Sequence, residues 1–190
     1  MTAANWDAEL ALLRESGARL DPGLSPTELA AAERHYGFRF PPDLRALLSA
    51  ALPVGDFPDW RSIGSPELDG MLRWPLEGIQ FDIEHSGFWW PTWGPRPVTL
   101  EEAFAVAERE IAAAPLLIPV YSHRYLPAEP CESGNPVMSV YQTDIIYYGR
   151  DLRVYVANEF GVRRDCTDDD TVRSVRFWSD LIAAGGAPAA

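Results

Sequence analysis

The chain has 190 residues, 47% of them hydrophobic and 12% aromatic, with a formal net charge of -12; at this length roughly 70% of the unfolded surface can be buried, so one self-sufficient domain is expected. Acidic residues outnumber basic ones 28 to 16, which argues against nonspecific nucleic-acid binding, since that needs clustered cations, and leaves ordinary acidity for solubility and attraction of a basic protein partner as the two readings. Every one of the 16 Lys+Arg positions is arginine, as a high-GC bacterial genome would produce, so Schiff-base and lysine phosphate-loop chemistry are excluded.

Asn5 is placed to cap a helix on which Trp6, Leu10 and Leu13 recur at helical spacing, with Gly17 as its stop. Residues 1–18 therefore read as a docking helix. Ser25-Pro26-Thr27-Glu28 is a capping box opening a helix with Leu29, Ala32 and Tyr36 on one face. After an extended Phe38 to Phe40, Pro41 and Pro42 lead a third helix whose stripe is Leu44, Leu47 and Leu48. Residues 55–97 form a tryptophan- and proline-rich elaboration. Within it, Ser65-Pro66-Glu67 starts a short helix carrying Leu68, Met71 and Leu72, and Ile79, Phe81 and Ile83 then alternate with Gln80, Asp82 and Glu84. That period of two predicts a strand with one buried and one wet face.

Thr99-Leu100-Glu101-Glu102 is a second capping box, opening a helix that runs to about Ala114. Residues 116–121, 137–141 and 145–148 predict three more strands, the last two joined as a hairpin by the turn at 142–144, with a proline-rich loop over 126–136. Asp151 is placed to cap a helix stopped by Gly161. A terminal helix over residues 172–182 follows Asp168, Asp169 and Asp170, whose charge suits a helix N-terminus, and residues 185–190 read as a frayed tail. Helices before, between and after mixed strands predict an α+β fold: a mixed, mostly antiparallel sheet of about four to six strands with helices packed against it, in one domain over residues 1–184.

The segment LSPTELAAAERHYGFRFPPDLRALLSAA, residues 24–51, resembles the opening of the SUKH superfamily. The pattern is a capped helix with a glutamate and an aromatic near its end, a Gly-Phe elbow and a proline-led helix. Here those residues are Glu33, Tyr36, Gly37, Phe38, Pro41, Asp43, Leu44 and Leu47. The asparagine-glycine usual after the second helix is replaced by Leu52-Pro53-Val54-Gly55. The resemblance implies an α+β binding module of a family that includes a yeast cell-wall-assembly regulator and bacterial immunity proteins that neutralise partner toxins. It carries over no catalytic residue and names no partner.

No apolar run approaches the roughly 18 residues of a membrane span, and Asp7 and Glu9 stand where a signal peptide needs a basic start and an apolar middle. A cytoplasmic protein is expected. Cys131 and Cys166 lie far apart without paired spacing, and no nucleophile elbow, metal-spaced cluster, phosphate loop or dinucleotide fingerprint is present, so no cofactor and no metal is expected. Asp165 with Asp168, Asp169 and Asp170 lacks the glycine and terminal glutamate of a calcium loop and reads as helix capping.

Two constellations remain. His123, Arg124, Tyr141, Asp144 and Tyr147 lie among strand residues, where polar groups need partners to be buried. They read as a network fixing strand register around an Arg124–Asp144 pair, with a ligand pocket and a catalytic site as alternatives. Trp60, Trp74, Trp89, Trp90 and Trp93 place five of the seven tryptophans in one short span. They either plug the core edge or, with Asp82 and Glu84 beside Trp60, Trp89, Trp90 and Trp93, form a docking surface. Asp82, Glu84 and His85 are weak as a metal or acid–base set and read as a solvated strand face. The expected function is a non-catalytic protein-binding module of immunity type, acting by stoichiometric occlusion on a partner such as a basic toxin domain. The alternatives are an enzyme with a pocket around Arg124 and Asp144, and a cell-envelope scaffold.

Overall fold

Local signals fix most of the helices. A computed structural model describes residues 5–161 and 172–185. Helix α1 (Asp7–Glu15) starts where Asn5 Oδ1 accepts the Asp7 N–H at 2.8 Å. Helix α2 (Pro26–Tyr36) opens on its capping box: Ser25 Oγ accepts the Glu28 N–H, and the Glu28 carboxylate accepts the Ser25 N–H. That backbone bond, then the Ser25 hydroxyl and Arg61, lower the Glu28 carboxyl from the usual 4.5 to about 2. Gly37 ends α2 in the left-handed conformation, with φ 73°. Glu33 then accepts the Phe40 N–H and pairs with Arg45, which holds the elbow before α3 (Pro42–Ala50).

Strands β1 (Arg19–Pro22) and β2 (Ala51–Val54) form an antiparallel ribbon. Neither is foreseen in the sequence, because four residues containing a proline show no period. The larger correction concerns α4 (Pro66–His85), one helix of 20 residues that runs through Pro75 and absorbs the residues read as a strand. Ile79 and Ile83 are buried one turn apart, whereas Phe81 is 45% exposed and stacks on His85 with centroids 4.2 Å apart. Three apolar residues in five fit both periods; the outward turn of the middle one belongs to a helix.

A 3-10 turn (Pro91–Trp93) leads to α5 (Leu100–Ala113), capped by Thr99. Strands β3 (Leu117–Tyr121), β4 (Arg124–Pro127), β5 (Val137–Tyr141) and β6 (Asp144–Gly149) then make an antiparallel sheet in sequential order. Strand β4 takes the start of the stretch read as a loop. Helix α6 (Leu152–Phe160) is capped by Asp151, and α7 (Trp178–Ala183) is shorter than the terminal helix expected. Asp165, Cys166, Asp168, Asp169 and Asp170 lie outside the described residues. The result is an α+β fold in which both sheets are antiparallel.

The four-stranded sheet separates two cores by its alternation. Ile118, Val120, Leu126 and Val137 pack with α1, α2, α3 and α6. Leu117, Tyr125, Met138, Val140 and Ile145 pack with α5, α7 and the second half of α4. A ridge of α4 at four-residue spacing meets this second face. The Met71 carbonyl lacks its helical donor because residue 75 is proline, and the Tyr125 hydroxyl donates to it at 2.8 Å. Trp74 Nε1 donates to the Val140 carbonyl at 3.1 Å. The Asp82 carboxylate accepts the Thr143 N–H at 2.9 Å and its hydroxyl at 2.6 Å.

Gly78 completes the ridge, since a Cβ there would lie 2.8 Å from Gln142 Cα in the β5–β6 turn. Alanine is favoured over glycine in a helix by about 1 kcal/mol, but this clash is with backbone and cannot be relieved by a rotamer. Gly78→Ala is therefore expected to lower the melting temperature in a calorimetric scan. A value at or above the parent would show that the hairpin turn is free to shift.

Candidate functional site

Arg124 leads β4 with its side chain 11% exposed. Its Nε donates to Glu159 Oε2 at 2.9 Å, one guanidinium NH group donates to Ser139 Oγ at 2.9 Å, and the guanidinium lies 3.9 Å from the Tyr148 ring centroid. The expected Arg124–Asp144 pair does not form. Arg124 stands opposite Ser139, while exposed Asp144 stands opposite Tyr141 at the hairpin end. Glu159 comes instead from α6, folded across that face. Tyr147 points to the other face, where its hydroxyl donates to Ser179 Oγ at 2.6 Å. The residues read as one network thus divide among two sheet faces and a turn. Glu159, Ser139 and Tyr148 replace Asp144 and Tyr147 around Arg124.

The tryptophans divide as well. Trp60 is fully buried, with edge contacts to Tyr36, Phe38 and Phe40. Trp93 is 8% exposed and stacks on Phe177, which also meets the half-buried Trp90. Trp89 is half-buried and donates to the Gly94 carbonyl at 2.7 Å. Buried Trp60, Trp93 and Asp82 accordingly give a partner almost no surface, whereas Glu84 is exposed. Asp82 is an anchor of the hairpin rather than part of a wet strand face.

Trp74 keeps an open face, at 41% exposure, and Tyr141 is 57% exposed. Their ring centroids are 6.3 Å apart, and His123 stands 6.4 Å from Tyr141 at the β3–β4 turn. With Gly70, Met71 and Tyr125 these rings surround a depression of about 290 Å3, near the lower end of ligand-pocket volumes. A cavity inside the first core, lined by Trp60 and Tyr155, is only about 20 Å3, room for a single water molecule. Phe81 lies two turns further along α4 from Trp74. Nothing in the composition of residues 65–75 marked Trp74 or Gly70 for the surface; the helical period through Pro75 would have done so.

Two titrations bear on the depression. Burial, and then the Glu77 charge, push the Tyr125 phenol well up, so it remains a donor. Burial, and then the Arg124 guanidinium, hold the His123 imidazole below its ordinary 6.5. The unfolded chain therefore binds the His123 proton more readily, and this contribution to stability is lost as pH falls below 6.5. Ser122, at φ 47°, brings its Oγ within 3.2 Å of His123 Nδ1. Among the described residues no carboxylate bonds the His123 ring to orient it as a base would require.

Among the described residues no group of three or more His, Cys, Asp or Glu side chains could hold a metal ion, and no helix is long and apolar enough to cross a membrane. Comparison with protein-family models, with curated proteins and with solved structures finds no match.

The Arg124 cluster ties three strands to α6, and removing one member of a part-buried ion pair leaves the other uncompensated. Arg124→Ala is expected to lower the melting temperature by several degrees, with Arg124→Lys restoring only part, because an ammonium cannot serve both acceptors while stacking on Tyr148. Unchanged stability combined with lost partner binding would move Arg124 from the scaffold to the contact surface.

Proposed function

We propose that this chain is a non-catalytic protein-binding module that occludes a partner stoichiometrically. The observation that carries this reading is the face formed by exposed Trp74 and Tyr141 with half-buried His123 around the depression beside α4. Tryptophan and tyrosine dominate binding hot spots because they bury a large area at small cost in side-chain entropy. Trp74 on a helix pinned to the sheet and Tyr141 at the end of β5 are held in one geometry in the free protein. The charge of -12 adds long-range attraction for a basic partner and raises its association rate at low salt.

The role most consistent with the SUKH-like segment over residues 24–51 is immunity, that is, neutralising a toxin domain. In this chain the segment's motif residues serve as scaffold. Glu33 and Gly37 shape the elbow, and Tyr36 donates to Asp69 while accepting the Gly64 N–H, so the segment sets where α4 begins. The docking face is then carried by the elements that this opening supports.

The test is co-expression with the protein encoded beside this gene. A 1:1 complex by light scattering is expected, with Tyr141→Ala weakening it by at least tenfold at unchanged melting temperature, and Trp74→Ala by more. Failure to protect cells from an adjacent toxin domain would sink the immunity role. A complex indifferent to both substitutions would move the interface elsewhere. Hydrolysis of an activated ester that disappears in Ser122→Ala would favour an enzyme instead.

A further inference from the structure

The α4 ridge contains two glycines that the structure treats differently. At Gly78 a side chain is forbidden by the backbone of Gln142. At Gly70, one ridge position before Trp74, a Cβ meets nothing within 4 Å, and the space above it is the 290 Å3 depression. Glycine inside a helix is unfavourable relative to alanine, and no close approach among the described residues explains this one. Gly70 keeps the floor of the depression open beside an exposed indole.

The chain shows twice how it holds a planar cation. Arg124 lies over Tyr148 and bonds the Glu159 carboxylate. Arg153 lies over Trp6, 4.1 Å from the ring centroid, and bonds the Glu9 carboxylate. Each seat is an aromatic face beside an acid. The lining of the depression supplies the aromatic part of such a seat at the surface, and acids stand on the elements beside it. Trp74 and Tyr141 supply open faces. Glu77 is one turn from Trp74 on α4 and close enough for its charge to act on Tyr125. Asp144 stands opposite Tyr141 across the hairpin. The exposed Arg73–Glu77 pair, at 3.3 Å with both side chains more than half exposed, is of the kind that competes weakly in water. Burial and the Arg124 guanidinium disfavour the charged form of His123, which lessens its repulsion of a cation.

Resting on the docking face proposed above, we infer that this depression receives an arginine side chain of the protein partner, lying on the open face of Trp74 against the tilted Tyr141 ring and over Gly70, with Glu77 and Asp144 as the nearby acids. Arginine fits better than lysine because its flat guanidinium can lie on a ring while donating in its plane.

The experiment is an NMR titration of the full-length 15N-labelled protein with N-acetyl-arginine amide, and with its uncharged citrulline analogue. Arginine is expected to shift the Trp74 indole and Gly70 amide signals at millimolar concentration, with citrulline at least fivefold weaker. Gly70→Leu should abolish the shifts. Gly70→Ala, which fills less space, should raise the melting temperature by roughly 2–4 °C while weakening the shifts several-fold, a combination that a purely structural glycine would not give. Equal binding of citrulline, shifts spread over the acidic surface, or unchanged binding by Gly70→Leu would each overturn the inference. If Tyr141→Ala breaks the protein complex while arginine leaves Gly70 unmoved, the docking face stands and this occupant falls. If arginine binds as described but no complex forms, the seat stands and the neutralising role falls.

Discussion

A missing amide proton in the middle of α4 governs how the two halves of the molecule meet. Pro75 cannot donate to the Met71 carbonyl, and a buried carbonyl without a partner costs about 1–3 kcal/mol. Tyr125 supplies the donor from a central strand of the sheet. Ahead of its last turn, α4 leaves a carbonyl free where Pro75 follows Met71, so the bond fixes the helix both along its axis and about it. Trp74, Gly78 and Asp82 then come to the β5–β6 hairpin in succession. The same burial that makes the bond necessary keeps the phenol protonated, so the constraint persists across the ordinary pH range.

The neighbouring residue on β4 anchors the other layer. Strand alternation sends Tyr125 to one face and Arg124 to the opposite one. There the guanidinium meets a carboxylate from α6, a hydroxyl from β5 and a ring from β6. Helix α1 is attached to α6 by a similar seat, Arg153 over Trp6 with Glu9. A point-charge ammonium would fill either seat poorly. The absence of lysine therefore has a structural counterpart at these two positions, whatever codon bias set it elsewhere.

What could be read in advance was what depends on near neighbours. The capping box at Ser25, the side-chain caps at Thr99 and Asp151, the stop at Gly37 and the hairpin over 137–148 each need only residues a few positions apart. The misreadings arose where distant chain decides. Residues 79–84 satisfied both periods, and only the hydrogen bond from Tyr125 makes a helix continuing through Pro75 tolerable. Arg124 among strand residues needs a partner, but a partner 35 residues away on α6 leaves no mark near it. Strands β1, β2 and β4 have four residues each, two periods at most, and are defined by their pairing alone.

Tryptophan density is a poor guide to surface for a related reason. The indoles of residues 89–93 are drawn over the end of the second core, where Phe177 holds a left-handed backbone at φ 68°. Such a conformation costs on the order of 1–3 kcal/mol, and the ring contacts of Phe177 with Trp90, Trp93 and Trp178 offset it. Those aromatics are thereby committed to the interior. Trp74 differs because its ridge neighbours are glycines at 70 and 78, so no side chain of its own ridge flanks it. The hairpin turn fills the Gly78 side, and the Gly70 side stays open. Whether an indole is buried or left open is decided here by what its neighbours lack.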